Sequence, residues 1–109
     1  MNHGFDMKPE PKTYGLDYDD TYTSDPELWQ WFIRRAQGRG HTVYIVTCRH
    51  DTHENREEVY GDRESTLTGL PWSRHIFTGF AAKKWFCEHR GLKIDIWIDD
   101  YPESIINGR

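Results

Sequence analysis

Two short apolar runs, Tyr14-Gly15-Leu16 and Ile94-Asp95-Ile96-Trp97-Ile98, each end abruptly in aspartate. The first leads into Asp17-Tyr18-Asp19-Asp20-Thr21 and the second into Asp99-Asp100. Aspartate is depleted in strands and favoured in turns, so each cluster marks a strand end whose carboxylates face solvent or a ligand. Carboxylates that cannot spread apart repel one another. A hard cation relieves that repulsion, and carboxylate, carbonyl and water oxygens are the ligand set of Mg2+.

The chain of 109 residues is expected to form one domain, with a polar tail over residues 1–12 and a single globular unit over residues 13–109. Its net charge of -4 argues against general nucleic-acid binding, which depends on Lys and Arg neutralising phosphates. Cys48 and Cys87 are too few for a disulfide framework, and residues near the N-terminus lack the apolar core of a secretory signal. A reduced, cytoplasmic protein is therefore expected. No apolar run approaches the roughly 20 residues that span a bilayer, so no membrane association is expected.

From Thr13 onward strand-like and helix-like segments alternate. Strands are expected at 14–17, 43–46, 75–77 and 94–98, and helices at 26–37 and from about 80 to 89. A further short helix is expected within 51–63, where Glu54, Arg56, Glu57, Glu58 and Arg63 would decorate an exposed face. Asp25 suits an N-cap and Pro26 a first helical position. Leu28, Trp29, Phe32, Ile33 and Ala36 recur at helical spacing and would form the buried face of that helix. In the last helix Ala82, Trp85, Phe86 and His89 would share a face. Alternation of this kind implies a Rossmann-like, three-layer α/β/α fold around a parallel sheet, with the ligand site at the carboxyl ends of the strands. Asp17, Thr47 and Asp99 all fall at such ends.

Asp17-x-Asp19-x-Thr21, Thr47 after a strand, a lysine opening the last helix and Asp99-Asp100 together resemble the four ordered motifs of the haloacid dehalogenase superfamily. The resemblance runs over residues 14–103. It implies a central first strand, a sheet order of 3-2-1-4 and a Mg2+-dependent phosphatase that works through an aspartyl phosphate. Asp17 would be the nucleophile and Asp19 the general acid and base. Thr47 would donate to a phosphoryl oxygen, and Lys83 would offset the gathered negative charge. Mg2+ would be held by Asp17, the backbone carbonyl of Asp19, Asp99 and Asp100. Thr21, Arg49 and Lys84 stand as candidate substrate contacts, with Lys84 also a competitor for the lysine role. Replacement of Lys83 would be expected to cost turnover with little loss of stability.

No segment is long enough for a cap domain. The site is therefore expected to be open to a phosphorylated macromolecule, or to a small phosphate ester with selectivity supplied by a homo-oligomer partner. A zinc site built from Cys48, His50, His53, Cys87 and His89 is disfavoured, because paired C-x-x-C spacing is absent and Cys87 and His89 diverge on a helix. A non-catalytic binding or assembly protein on the same fold is the competing reading. Retention of Asp19 and Asp99 speaks against it.

Overall fold

Asp25 accepts a hydrogen bond from the Leu28 amide at 3.2 Å and Pro26 follows it, so helix α1 (Pro26–Gly38) starts at the expected cap. Its inward stripe is narrower than the sequence periodicity implied. Ile33 and Ala36 are buried and Trp29 and Phe32 pack partly against the core, whereas Leu28 is 49% exposed.

The computed structural model describes residues 9–61 and 67–108. The remaining elements are strands β1 (Thr13–Leu16), β2 (Thr42–Thr47), β3 (His75–Phe77) and β4 (Ile96–Ile98), and helices α2 (His53–Val59), α3 (Lys83–His89) and α4 (Glu103–Ile106). Single 3-10 turns occur at Tyr22–Ser24 and Trp72–Arg74. All strand pairs are parallel and the order is β3-β2-β1-β4, the expected arrangement. Residues 1–8 of the expected tail, and Arg63, lie outside the described residues. Lys12, the last tail residue, already belongs to the fold: its amide donates to His41 Nδ1 and its carbonyl accepts from the Thr42 amide.

Alternation along β2 divides the molecule into layers. Val43 and Ile45 face a core made with Leu16, Phe77, Ile33, Ala36, Val59 and Leu70, which places α1 and α2 on one side of the sheet. Tyr44 and Val46 face the opposite side, against Cys87 of α3, Ile94 and Trp97. The Trp97 ring crosses β1 at Gly15, where an added Cβ would stand 2.8 Å from it. Only a residue without a side chain permits that approach.

Two expectations shift at the second half of the chain. Helix α3 begins at Lys83 rather than near Phe80, because Gly79 and Phe80 both have positive φ and interrupt any helical turn. Its buried residues are Lys83 and Cys87, one turn apart, while Trp85 is 58% exposed and stacks on the exposed His89. Strand β4 begins only at Ile96, although the Asp95 amide donates to the Thr13 carbonyl at 2.8 Å and the Asp95 side chain accepts from the Thr13 amide. Helix α4 was not anticipated.

Candidate functional site

The register of β1 against its neighbours sets the site. Leu16 is paired with Ile45 and with Ile98, and the Asp17 amide donates to the Ile98 carbonyl at 2.9 Å. Asp17 and Asp99 therefore leave adjacent parallel strands side by side at their carboxyl ends. Residues 17–22 then fold into a tight turn closed by the Tyr22 amide on the Asp17 carbonyl, with Asp20 in the left-handed region at φ 65°.

Lys83 projects from the first position of α3 into the gap. Its Nζ lies 2.7 Å from Asp17 Oδ1 and 2.5 Å from Asp99 Oδ2, and the residue is 1% exposed. Burial opposes its charge, but the two carboxylates outweigh burial and leave its pKa raised. Burial pushes the Asp17 carboxyl up to about 6, with Lys83 acting in the opposite direction. Lys84 is exposed and takes no part in the cluster. Of the two adjacent lysines, the structure brings only Lys83 to the strand ends.

Oxygen donors converge beside the ammonium. Asp17, Asp99 and Asp100 each offer an oxygen within 4.8 Å of the others, the one such grouping among the described residues. Thr21 Oγ1 lies 3.0 Å from Asp17 Oδ2 and 3.0 Å from Asp100 Oδ1, and it accepts from the Asp100 amide. A hydroxyl carries one proton and cannot donate fully to both carboxylates. The crowded oxygens thus suit a hard divalent cation, and their number and type fit Mg2+ with water completing the shell. Thr21, a candidate substrate contact, is buried and braces the two carboxylates.

Asp19 turns away from this grouping. Arg49 clamps it with two bonds, Nε to Oδ2 at 2.9 Å and Nη2 to Oδ1 at 2.8 Å. The same guanidinium contacts Glu58 and donates to Asn55 Oδ1 at 3.0 Å, both on α2, while lying over the Tyr18 ring. With these acceptors its proton is held more tightly than in a free arginine. Arg49 thus ties α2 to Asp19 rather than pointing into open space. Thr47 ends β2 as expected, but it is buried and its Oγ1 accepts from the Arg49 amide at 3.3 Å.

Asp17, Asp19, Cys48, Lys83, Asp99 and Ser104 line a narrow cleft of about 10 Å3, room for a single water or small ion. The cleft is narrow because Lys83 fills the gap between the strand ends. Sequence reasoning missed Ser104, whose hydroxyl lies 3.3 Å from Asp99 Oδ2 and donates to the Tyr101 carbonyl. A signal was available: Pro102-Glu103, one residue beyond the acidic pair, is a helix start. It also missed Cys48 as a lining residue and Asn55 and Glu58 as supports of Arg49. Among the described residues Cys48, His50, His53, Cys87 and His89 form no metal-holding group, and Cys87 is buried in the core while His89 lies on the surface.

No helix among the described residues is long and apolar enough to cross a membrane. Comparison with protein-family models, with curated proteins and with solved structures found no match to this chain.

Proposed function

We propose that this chain is a Mg2+-dependent phosphatase of the haloacid dehalogenase type, acting on phosphomonoesters through a phosphorylated Asp17. The observation that carries the reading is the Lys83 ammonium bridging Asp17 and Asp99 at the ends of adjacent parallel strands, with Asp100 close enough to share a cation. Burying an ion pair does not by itself stabilise a fold, so an ammonium between two carboxylates is better explained by a chemical task.

In this reading one Asp17 oxygen attacks phosphorus, the ester P–O bond breaks, and the leaving oxygen takes a proton from Asp19. Water then attacks the aspartyl phosphate, Asp19 accepts its proton, and phosphate leaves with Asp17 restored. Mg2+ held by Asp17, Asp99, Asp100 and the Asp19 carbonyl would neutralise phosphoryl charge when bound. Lys83 keeps Asp17 ionised and in place. Asp19 can act only after giving up one bond to Arg49, whose freed guanidinium edge is then available to a phosphoryl oxygen. Substrate binding and release of the acid would be one exchange. Thr47 Oγ1 is close enough to the Arg49 amide to serve the loop, so its donor role belongs to the substrate-bound state.

Buried, unpaired Cys48 and Cys87 fit a reducing compartment, the cytoplasm. The test is phosphate release from phenyl phosphate with and without Mg2+. Turnover that requires Mg2+ and vanishes in Asp17→Asn supports the reading; a rate for Asp17→Asn within a few-fold of the parent removes it. Absence of any turnover would favour the binding or assembly protein.

A further inference from the structure

Phe80 adopts φ 71° and is 49% exposed. A bulky L-residue in the left-handed region is an outlier, and such strain persists where the surroundings impose it. The surroundings here are specific. Beyond β3 the chain continues to run alongside the loop after β2: the Thr78, Gly79 and Phe80 amides donate to the carbonyls of Thr47, Arg49 and Cys48 at 2.9, 3.1 and 2.8 Å. Cys48 lines the cleft, so this pairing holds the Phe80 backbone next to a cleft-lining residue. The fold gains little from the ring, which stays half in solvent.

His50 completes the arrangement. Its ring meets Phe80 edge to face at 4.8 Å and an interplanar angle of 88°, and it is itself exposed. It lies against Gly79, where an added Cβ would stand 3.0 Å from His50 Nδ1. Two exposed aromatic rings are thus held at a fixed mutual angle, one by strained backbone and one by the absence of a side chain. Glycine at position 80 would satisfy the backbone at lower cost. A phenyl ring kept there despite the strain, unburied and beside a reactive cleft, is suited to packing against a flat group that the protein does not supply.

Resting on the phosphatase reading, we infer that Phe80 and His50 form a platform for the leaving group, and that the preferred substrates are phosphomonoesters whose ester oxygen is attached to an aromatic ring. The cleft is too small to enclose a leaving group, so discrimination between esters falls to the residues around it. Phe80 is a specificity-determining residue with no part in the chemical step.

The test compares kcat/KM for phenyl phosphate and for 2-glycerol phosphate in the parent, Phe80→Gly and Phe80→Tyr, with melting temperatures for all three. The intrinsic reactivities of the two esters cancel when the ratio is compared between variants. Phe80→Gly is expected to melt no lower than the parent and to lose about tenfold in the phenyl-to-glycerol ratio, the scale of one aromatic contact, while Phe80→Tyr keeps it. An unchanged ratio, or equal losses on both esters, would overturn the platform. A lower melting temperature for Phe80→Gly would overturn the claim that the ring is held against strain. Failure of the parent to release phosphate from either ester would instead remove the phosphatase reading, and the platform with it.

Discussion

An ammonium group with 1% exposure survives in a fold only where carboxylates surround it, and Lys83 has two. The sequence made Lys83 and Lys84 nearly equivalent, because charge and position near a helix start are all that a string of letters supplies. Burial separates them. Lys83→Met would leave Asp17 and Asp99 facing each other without a counter-charge, a change that costs about 3 to 5 kcal/mol in comparable buried pairs. Urea denaturation should register that loss together with the loss of turnover, where the sequence alone implied little loss of stability. Lys84→Met should alter neither stability nor rate by a significant amount, and a severe effect there would contradict the assignment. Asp19 offers a second contrast. Its side chain meets Arg49 rather than the grouping of Asp17, Asp99 and Asp100. Asp19→Asn should therefore lower kcat by about 100- to 10,000-fold, the usual worth of general acid–base catalysis, while leaving Mg2+ binding intact. Loss of Mg2+ binding in that variant would show that the carboxylate itself is a ligand.

At the scale of elements, β3 and the loop before it carry a buried histidine that makes stability depend on pH. His75 is 6% exposed, lies 2.8 Å from Thr68 Oγ1 through Nε2 and contacts the Pro71 carbonyl through Nδ1. Burial lowers its pKa below the usual histidine value, with the contacts to Pro71 and Trp72 acting the other way. The unfolded chain then binds the proton more readily than the fold does, so this group's contribution is present above about pH 6.5 and is lost as pH falls below it. His75→Gln should flatten that part of the pH–stability curve measured by urea denaturation. A parent and variant with parallel curves would show that His75 is not the source. The elements also mark where the sequence was legible. The strand ends at Asp17, Thr47 and Asp99 followed from apolar runs stopped by polar residues, and Asp25-Pro26 gave the start of α1. Helix α3 was misread at its start because Phe80 looks like a helical apolar residue, and its positive φ comes from pairing with the β2 loop, a tertiary effect. Helix α4 spans only Glu103–Ile106 and shows no periodicity to find.

Across the whole molecule, four parallel strands in the order 3-2-1-4 bring together residues as far apart in sequence as Asp17 and Lys83. Alternation implied a parallel sheet with its site at the strand ends, and the strand order was what the family resemblance implied, whereas the partners of each side chain were not readable: neither the Arg49 clamp nor the brace from Thr21 has a sequence signature. A cation binding at the convergence stabilises the native state by mass action, by about 2.7 kcal/mol at a concentration one hundred times its Kd. Scanning calorimetry should show Tm rising with Mg2+ in the parent and not in Asp99→Asn, and a flat response up to tens of millimolar would contradict the site. The central claim, that Asp17 carries the phosphoryl group, is tested most directly by acid-quenching Asp19→Asn after mixing with acetyl phosphate and Mg2+. The good leaving group needs little help from an acid, while hydrolysis of the intermediate lacks its base, so the intermediate should accumulate. Mass spectrometry is predicted to find one phosphoryl group on the peptide containing Asp17 and none when Asp17 is also changed to Asn. Phosphoryl on another residue, or hydrolysis that proceeds at the parent's rate without any adduct, would contradict it.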